Sequence, residues 1–514
     1  MKLGGKRASV YNMLTMVAYQ GVSAIFGFVL PNLLLCNYGA SLHGYTSTVS
    51  NTMSYIALIN AGLAPAAVQA LYAPLSKQDN KRISQILSAV DRFYLLSGCL
   101  YTVAIIVIAV LMPHIVGEQI PKLDTISLML VIGASNTLEC FVYSKYRVLL
   151  QADQRMFIVT ITDLVFYIIR VITQIILVET KCSIILVMLV PAIMVFFRTI
   201  VLVLCCRTLY REVNSHEKPD YTALSNRWSA MIHQITGLIV FNTDISLLTI
   251  FRSLIEVSIY SVYNLVFHHI YLLLNNVFSS STVASFGHLI SENKRDTLQN
   301  AYNLYEFGYC MVVTFVYSVT AVMIIPFIKV YTLEIDNINY SDSVAAVLFT
   351  AIGILNNLRI PSLTLTSASG HYKQTQNHAI LEAMINIVVS LILLKPLGMY
   401  GLLIGTICSF AYRATISIIY VYKNILEISI TRAIRRMIRA LLTILISSVI
   451  CSGMLFKHNV DNWFQWIICA AAASVVSALV TVLANYVCEV KTFHWCIRYF
   501  FDKTPTNKTE TSES

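Results

Sequence analysis

The sequence predicts an all-α polytopic membrane protein of about fourteen transmembrane helices, and three observations predict it. Hydrophobic residues make up 57% of the 514 and charged residues only 12%, about half the charged share of a soluble domain. Apolar windows of about twenty residues, the length that crosses a ~30 Å hydrocarbon layer, recur along the chain. The basic residues fall mostly in alternate connections, the pattern that orients a multi-span protein.

In chain order the apolar windows lie at 9–36, 45–73, 86–116, 123–150, 156–179 and 183–207, then at 229–252, 257–287, 301–330, 343–369, 376–396 and 399–424, and finally at 438–456 and 463–488. Several exceed what a bilayer needs, so tilt or extension into water is expected. The opening Met1-Lys2-Leu3-Gly4-Gly5-Lys6-Arg7 leads directly into the first window, so no cleavable signal peptide is expected. With the N-terminus inside, 26 of the 36 Lys and Arg fall in cytoplasmic segments, 6 outside and 4 within spans. The cytoplasmic set includes Lys77, Lys81, Arg82 and Arg92, then Lys145, Arg147 and Arg155, then Arg207, Arg211, Lys218 and Arg227, and the run Arg432, Arg435, Arg436 and Arg439. This places both termini in the cytoplasm, and the net charge of +10 reads as topology and not as a nucleic-acid surface. The outer connections are short, 331–342 among the longest, and hold no soluble domain, so whatever the chain does is done within the membrane. Twelve cysteines lie mostly in apolar windows without CxxC spacing. They read as small packing residues, with no disulfide, metal or cofactor implied.

Two halves of the chain read as copies of one design. Asp79-Asn80-Lys81-Arg82 precedes the third window and Glu292-Asn293-Lys294-Arg295 the ninth; Phe197-Arg198-Thr199 aligns with Tyr412-Arg413-Ala414, and Asp163 with Glu382, at offsets of 213 to 219. Six windows separate the copies, an even number, so both keep one orientation. Two six-helix bundles related by a pseudo-two-fold axis along the membrane normal are therefore expected, plus two C-terminal helices. The corresponding organisation is a lobe at 1–210, a cytoplasmic linker at 211–228, a second lobe at 229–425, extra helices at 426–490 and a cytoplasmic tail at 491–514.

Four arginines, Arg170, Arg198, Arg359 and Arg413, fall inside apolar windows. An intramembrane arginine costs at least ~2.5 kcal/mol and normally faces a cavity or a partner. Guanidinium is permanently charged and binds phosphate through a fork, so the cluster points to an anionic cargo. The blander alternative is snorkelling or a structural ion pair, and it weighs evenly for Arg198 and Arg413. Arg359 is the strongest candidate, because it lies mid-window in Gly353-Ile-Leu-Asn-Asn-Leu-Arg359-Ile-Pro361, where Pro361 frees backbone groups and Asn356 and Asn357 add donors. The acids Asp244, Asp163 and Glu382, with Glu139 beside them, are candidate ion- or proton-coupling groups or, equally, salt-bridge partners. His268 and His269 read as interhelical hydrogen-bonding groups before a proton relay, and Gly401 with Gly405 as a close-packing GxxxG pair.

The chain also resembles a known family. Tyr38-Gly39, Gly44-Tyr45, Ile59-Asn-Ala-Gly-Leu63 and the loop Ala70-Leu-Tyr-Ala-Pro-Leu-Ser-Lys-Gln-Asp79-Asn-Lys-Arg-Ile83 are similar to the opening of Wzx-type polysaccharide flippases, in the multidrug/oligosaccharidyl-lipid/polysaccharide exporter superfamily. Asn242-Thr243-Asp244, Tyr260-Ser-Val-Tyr263 and Phe278-Ser-Ser-Ser-Thr-Val-Ala-Ser-Phe-Gly287-His-Leu-Ile290 resemble its seventh and eighth spans, and the likeness covers about the first twelve windows. The resemblance implies two lobes alternating between inward- and outward-facing states in a bacterial cytoplasmic membrane. It implies a cargo of undecaprenyl-diphosphate-linked oligosaccharide for O-antigen, capsule or exopolysaccharide, bound by Arg198, Arg359 and Arg413. It further implies H+ or Na+ as candidate coupling ions, lipids as neighbours, and glycan polymerase machinery as a protein partner. The two C-terminal windows depart from that pattern and resemble those of lipid II flippases in the superfamily. A cation-coupled drug exporter of the superfamily is the alternative, opposed by the four arginines. A membrane-embedded glycan polymerase or ligase is a further one, opposed by the short outer loops.

Overall fold

The computed structural model describes residues 5–60, 63–153, 155–211, 217–221, 227–278, 280–291, 294–335, 338–455 and 460–501, and among them every regular element is a helix. Hydrocarbon offers no hydrogen bonds, so a spanning backbone must satisfy itself, and a helix does so within one segment. Expectations resting on Ala61, Gly62, Ser279, Glu292, Asn293, and on parts of the 211–228 linker and the 491–514 tail, fall outside the described residues.

The first helix, α1 (Gly5–Ile56), has 52 residues. As one straight rod it would reach ~78 Å, more than twice the hydrocarbon thickness. It is broken at Gly39, with φ 83° and ψ 168°, a conformation open to glycine, so α1 is two spans, matching the first two windows. A 3₁₀ turn at Ala57–Asn60 then interrupts the second window before α2 (Leu63–Lys77). Asp79 caps α3 (Asn80–Val116), its carboxylate accepting from the Arg82 N–H at 3.0 Å. The fourth window is α4 (Lys122–Leu138), a π turn at Glu139–Tyr143, and α5 (Ser144–Ala152). Then come α6 (Met156–Glu179), α7 (Ile184–Leu209), α8 (Arg227–Phe251) and α9 (Leu254–Phe278), followed by α10 (Ser280–Ser291) and α11 (Arg295–Tyr331). The tenth window splits into α12 (Ser343–Leu358) and α13 (Ile360–Ala368), followed by α14 (Tyr372–Leu397) and α15 (Met399–Tyr420). The chain closes with α16 (Thr431–Leu455), α17 (Trp463–Cys488) and α18 (Val490–Phe501).

Among the described residues, twelve helical stretches are long and apolar enough to cross a membrane. Splitting the first at Gly39, and adding α8 with its apolar part Ile235–Phe251, gives the expected fourteen. Large apolar side chains such as Val475, Leu479 and Leu483 stand exposed on α17, as a lipid-facing surface requires. The protein is a multi-pass membrane protein.

Contacts divide the chain into two compact units. One comprises Met1–His269, Tyr331–Tyr340 and Tyr372–Ser409; the other Ile270–Val330, Ser341–His371 and Phe410–Ser514. In the first unit, Tyr45, Val49, Tyr101, Ile105, Leu128 and Val187 join α1, α3, α4 and α7 in one core. There Gly401 and Gly405 let α15 approach α14: a Cβ on Gly401 would lie 2.3 Å from the Leu393 carbonyl oxygen, and one on Gly405 2.2 Å from Ser390 Oγ. In the second unit, Phe286, Tyr302, Leu365, Ile418 and Tyr422 gather α10, α11, α13 and α15, while Met323, Cys451, Cys469 and Ala473 seat α16 and α17 on α11.

The second unit also holds a buried ionic cluster. Arg436 donates from Nη1 to Glu306 Oε2 at 2.8 Å, from Nη2 to Glu489 Oε1 at 3.0 Å, and from Nη2 to Asn303 Oδ1 at 2.6 Å. Arg439 Nη2 donates to Glu489 Oε2 at 2.8 Å. The sequence grouped Arg436 with the cytoplasmic charges of its run, yet its side chain is 1% exposed. Around it Ala433, Ala440, Thr443 and Ser447 are buried, while Ile434, Ile438, Leu441 and Leu445 face outward. In lipid the small and polar stripe of a helix turns inward, which is the signal that would have placed Arg436.

Two outcomes follow. Gly405→Val should cost about 1–3 kcal/mol by overpacking, read as lost folded yield of a fluorescent fusion, with Gly405→Ala intermediate. Burial raises the Glu489 carboxyl, but hydrogen bonds and charge from Arg436 and Arg439 outweigh it and hold it below the usual carboxylate range. A depressed folded value means the contribution is complete above the unfolded value of about 4.3 and lost as pH falls through the folded one. Thermal stability of detergent-solubilised protein should therefore drop more steeply below about pH 4 than that of Glu489→Gln.

Candidate functional site

Arg359 and Glu139, the acid beside Arg198, both sit where a helix departs from regularity. In the second unit, Pro361 lacks an N–H and its ring opposes continuation of the helix. Accordingly α12 stops at Leu358, and Arg359 stands between it and α13 with φ −80° and ψ −18°. Its guanidinium is buried, donating from Nε and Nη2 to Asn356 Oδ1 at 3.1 and 2.7 Å, and it lies 4.2 Å from the Phe410 ring centroid. Asn356 thus orients the fork. Asn357 faces elsewhere: it accepts from Tyr309 Oη at 3.0 Å and donates to Tyr317 Oη and the Gly353 carbonyl, both at 2.9 Å. Its amide therefore ties α12 to α11. Arg413 is buried on α15 in the same unit.

In the first unit, Arg198 on α7 donates to Glu139 Oε1 and ion-pairs with Asp163, Nη1 lying 3.2 Å from Oδ1, with its guanidinium 4.1 Å from the Tyr143 ring centroid. Tyr143 Oη also donates to Asp163 Oδ1 at 2.6 Å. The π turn at Glu139–Tyr143 brings both residues to this cluster. Here the blander alternative is realised: the charge of Arg198 is neutralised locally, and Asp163 is a salt-bridge partner in this state. Arg170, two turns beyond Asp163 on α6, differs. It lies 4.7 Å from the Tyr167 ring centroid, its Nε is buried without a hydrogen-bond partner, and among the described residues no carboxylate pairs with it. His269 bonds its own helix, Nδ1 lying 2.8 Å from the Leu265 carbonyl, and packs against Gly27 and Phe28.

Asp244 on α8 is buried. Its Oδ2 accepts from Tyr260 Oη and Thr406 Oγ1, each at 2.9 Å, while Oδ1 is buried with no partner. Asn386 Nδ2 donates to Thr406 Oγ1 at 3.0 Å, which aims the threonine hydroxyl at the acid, and Asn386 Oδ1 is likewise unpartnered. Thr406 was missed from sequence, because a lone hydroxyl in an apolar helix carries no signal until its partner is known. Glu382 is buried one turn before Asn386 on α14. No group of three metal-binding side chains forms among the described residues.

Beside Asp244 runs a polar seam between the second half of α1 and α8 and α9. His43 Nδ1 lies 2.9 Å from Ser258 Oγ, and Thr48 Oγ1 2.8 Å from Thr249 Oγ1. Asn51 Nδ2 donates to the Asn242 carbonyl at 2.8 Å and to Ser246 Oγ at 3.0 Å, and Tyr55 Oη to Thr243 Oγ1 at 3.4 Å. Gly44 permits the approach, since a Cβ there would lie 2.0 Å from the Leu254 carbonyl oxygen.

No family model matches the chain, and no curated protein matches it in sequence. Its fold, however, is that of solved transporters. The structure titled lipid II flippase MurJ, inward closed conformation, superposes with TM-score 0.63 at 16% identity, over 92% of this chain and 98% of that one. An inward-facing multidrug resistance MATE family transporter of the MOP superfamily gives 0.62 at 12% identity, over 80% and 96%. A MOP superfamily transporter from Pyrococcus furiosus, titled for a binding pocket of reverse polarity, gives 0.57 at 12% identity, over 83% and 98%. The chain has the MOP-type transporter fold, and these neighbours are transporters and flippases, not enzymes.

The Arg198 cluster yields a stability test. Arg198→Gln leaves two acids without their cation and should cost about 1–3 kcal/mol, between the scales for an exposed and a buried pair. Arg198→Gln combined with Asp163→Asn should recover much of that loss in thermal denaturation. Additive losses would show that the pair is not coupled.

Proposed function

We propose that the protein is a flippase that moves undecaprenyl-diphosphate-linked oligosaccharide from the inner to the outer leaflet of a bacterial cytoplasmic membrane, for surface polysaccharide assembly. The observation that carries this reading is Arg359, a guanidinium oriented by Asn356 and Phe410 at a helix break inside the membrane. A diphosphate-sugar head crosses hydrocarbon only along a polar path, and a fixed fork is the group that binds phosphate bidentately. In this reading Arg359 and Arg413 receive the head group with Asn356, Arg170 of the first unit is a further candidate contact, and the prenyl tail stays in lipid. The lobes 1–210 and 229–425 alternate access, the linker 211–228 joins them on the cytoplasmic side, and both termini are cytoplasmic. Glycan polymerase machinery receives the product outside.

Asp244 is proposed as the coupling site, with Glu382 as a second acid. A carboxylate sealed in hydrocarbon needs a proton or a cation to discharge it, and the unpartnered Oδ1 of Asp244 and Oδ1 of Asn386 are oxygens suited to either. The same buried acids favour the second reading, a cation-coupled drug exporter. Binding assays with a lipid diphosphate and an organic cation separate the two: preference for the cation rejects the flippase.

Arg359→Ala is expected to abolish surface polymer while the protein still inserts, and Arg359→Lys to be inactive if forked recognition matters. Normal polymer from Arg359→Ala at wild-type abundance rejects the assignment. Asp244→Asn should reduce gradient-driven uptake in proteoliposomes; unchanged initial rates under imposed pH and sodium gradients remove the coupling role. Oxidative crosslinking of paired cysteines at His43 and Ser258 should stop transport and reduction should restore it, if the α1 seam opens in each cycle.

A further inference from the structure

The Arg436 cluster does not end at the last two spans. Glu306, which accepts from Arg436, also accepts from Tyr422 Oη at 2.6 Å and, through Oε1, from Tyr302 Oη at 3.2 Å. Tyr302 Oη lies 3.2 Å from Ser362 Oγ, on the first turn of α13 and three residues past Arg359. Further along α11, Tyr305 Oη lies 3.3 Å from Thr364 Oγ1, and Tyr309 and Tyr317 hold Asn357, two residues before Arg359. One face of α11 therefore grips both sides of the helix break. At the other end of the chain of bonds, Glu489 joins α17 to α18, and Cys496 and Phe493 of α18 pack on Leu304, Phe307 and Met311 of α11.

We propose that the two C-terminal spans and α18 act as a brace that sets the position of Arg359, with Arg436 as the positioning residue and Glu306–Tyr302–Ser362 as the path. This rests on the reading of Arg359 as the head-group site. The physical argument is one of charge balance. Arg436 and Arg439 face Glu306 and Glu489, two against two, in a site where the Arg436 side chain is 1% exposed. A guanidinium whose donors reach three different side chains and the Asn303 carbonyl permits one arrangement of α11, α16 and α17. If Arg436 is shortened, Glu306 loses its cation, its two tyrosine donors are free to reorient, and Ser362 loses its tether. The helix break, already lacking one backbone bond at Pro361, then gains freedom on the α13 side. A lysine at 436 keeps the charge but not the fork and does not rescue.

The test uses full-length protein in lipid nanodiscs, with geranylgeranyl diphosphate as probe and geranylgeraniol as its uncharged control. Tyr302→Phe removes one hydroxyl and no charge, so it keeps the fold even if Arg436→Lys does not. Both variants are expected to speed amide exchange over residues 357–364 but not over 343–352. They are also expected to weaken diphosphate binding about fivefold or more, to leave geranylgeraniol binding unchanged, and to add no loss to Arg359→Ala. Unchanged exchange over 357–364 in Tyr302→Phe overturns the brace, as does a binding loss that adds in full to that of Arg359→Ala. If Arg359→Ala itself binds the diphosphate like wild type, the head-group reading fails, and the exchange result alone then decides the brace.

Discussion

Hydrocarbon gives a charge no water to turn to, and the chain answers that constraint differently at each of its buried ions. Arg198 is surrounded by two acids and a tyrosine ring. Arg436 sits in a balanced cluster of four charged groups. Arg359 rests on an amide and an aromatic face at a helix end. These are three solutions to one desolvation problem. The first two gather carboxylates around a guanidinium, and the third orients one with an amide and a ring.

The spans were legible because length and apolarity are local properties. Window boundaries at 36 and 45 bracket the break at Gly39, and Pro361 announced the interruption at Arg359. The partners were not legible, because they are distant in the chain. Arg198 and Glu139 are 59 residues apart, and Arg436 and Glu489 53 apart. Equal odds between cavity and salt bridge were the right limit for Arg198 from sequence, and the π turn that swings Glu139 toward it has no residue signature. Asn357 shows the same limit: two adjacent asparagines point to different neighbours, since successive positions on a helix lie about 100° apart.

Asp244 illustrates how little chemistry a buried acid needs around it. Tyr260, Thr406 and Asn386 contribute no charge, yet together they fix which carboxylate oxygen is engaged and which is left open. In the proposed coupling role, a second carboxylate beside it would favour holding a cation tightly, whereas neutral oxygens favour letting it go. The two compact units each contain one such centre, acidic in the first and guanidinium in the second.

The seam from His43 to Tyr55 is made of hydroxyl, amide and imidazole groups, with no ion pair in it. Each such bond, exchanged for one to water, changes the free energy by only about 0.5–1.5 kcal/mol. A fastener of this kind has no deep minimum to climb from, and arriving water substitutes for each tooth as it parts. In the proposed transport cycle, closure of this seam would be decided by how well water is kept out, and wetting would be the trigger for release.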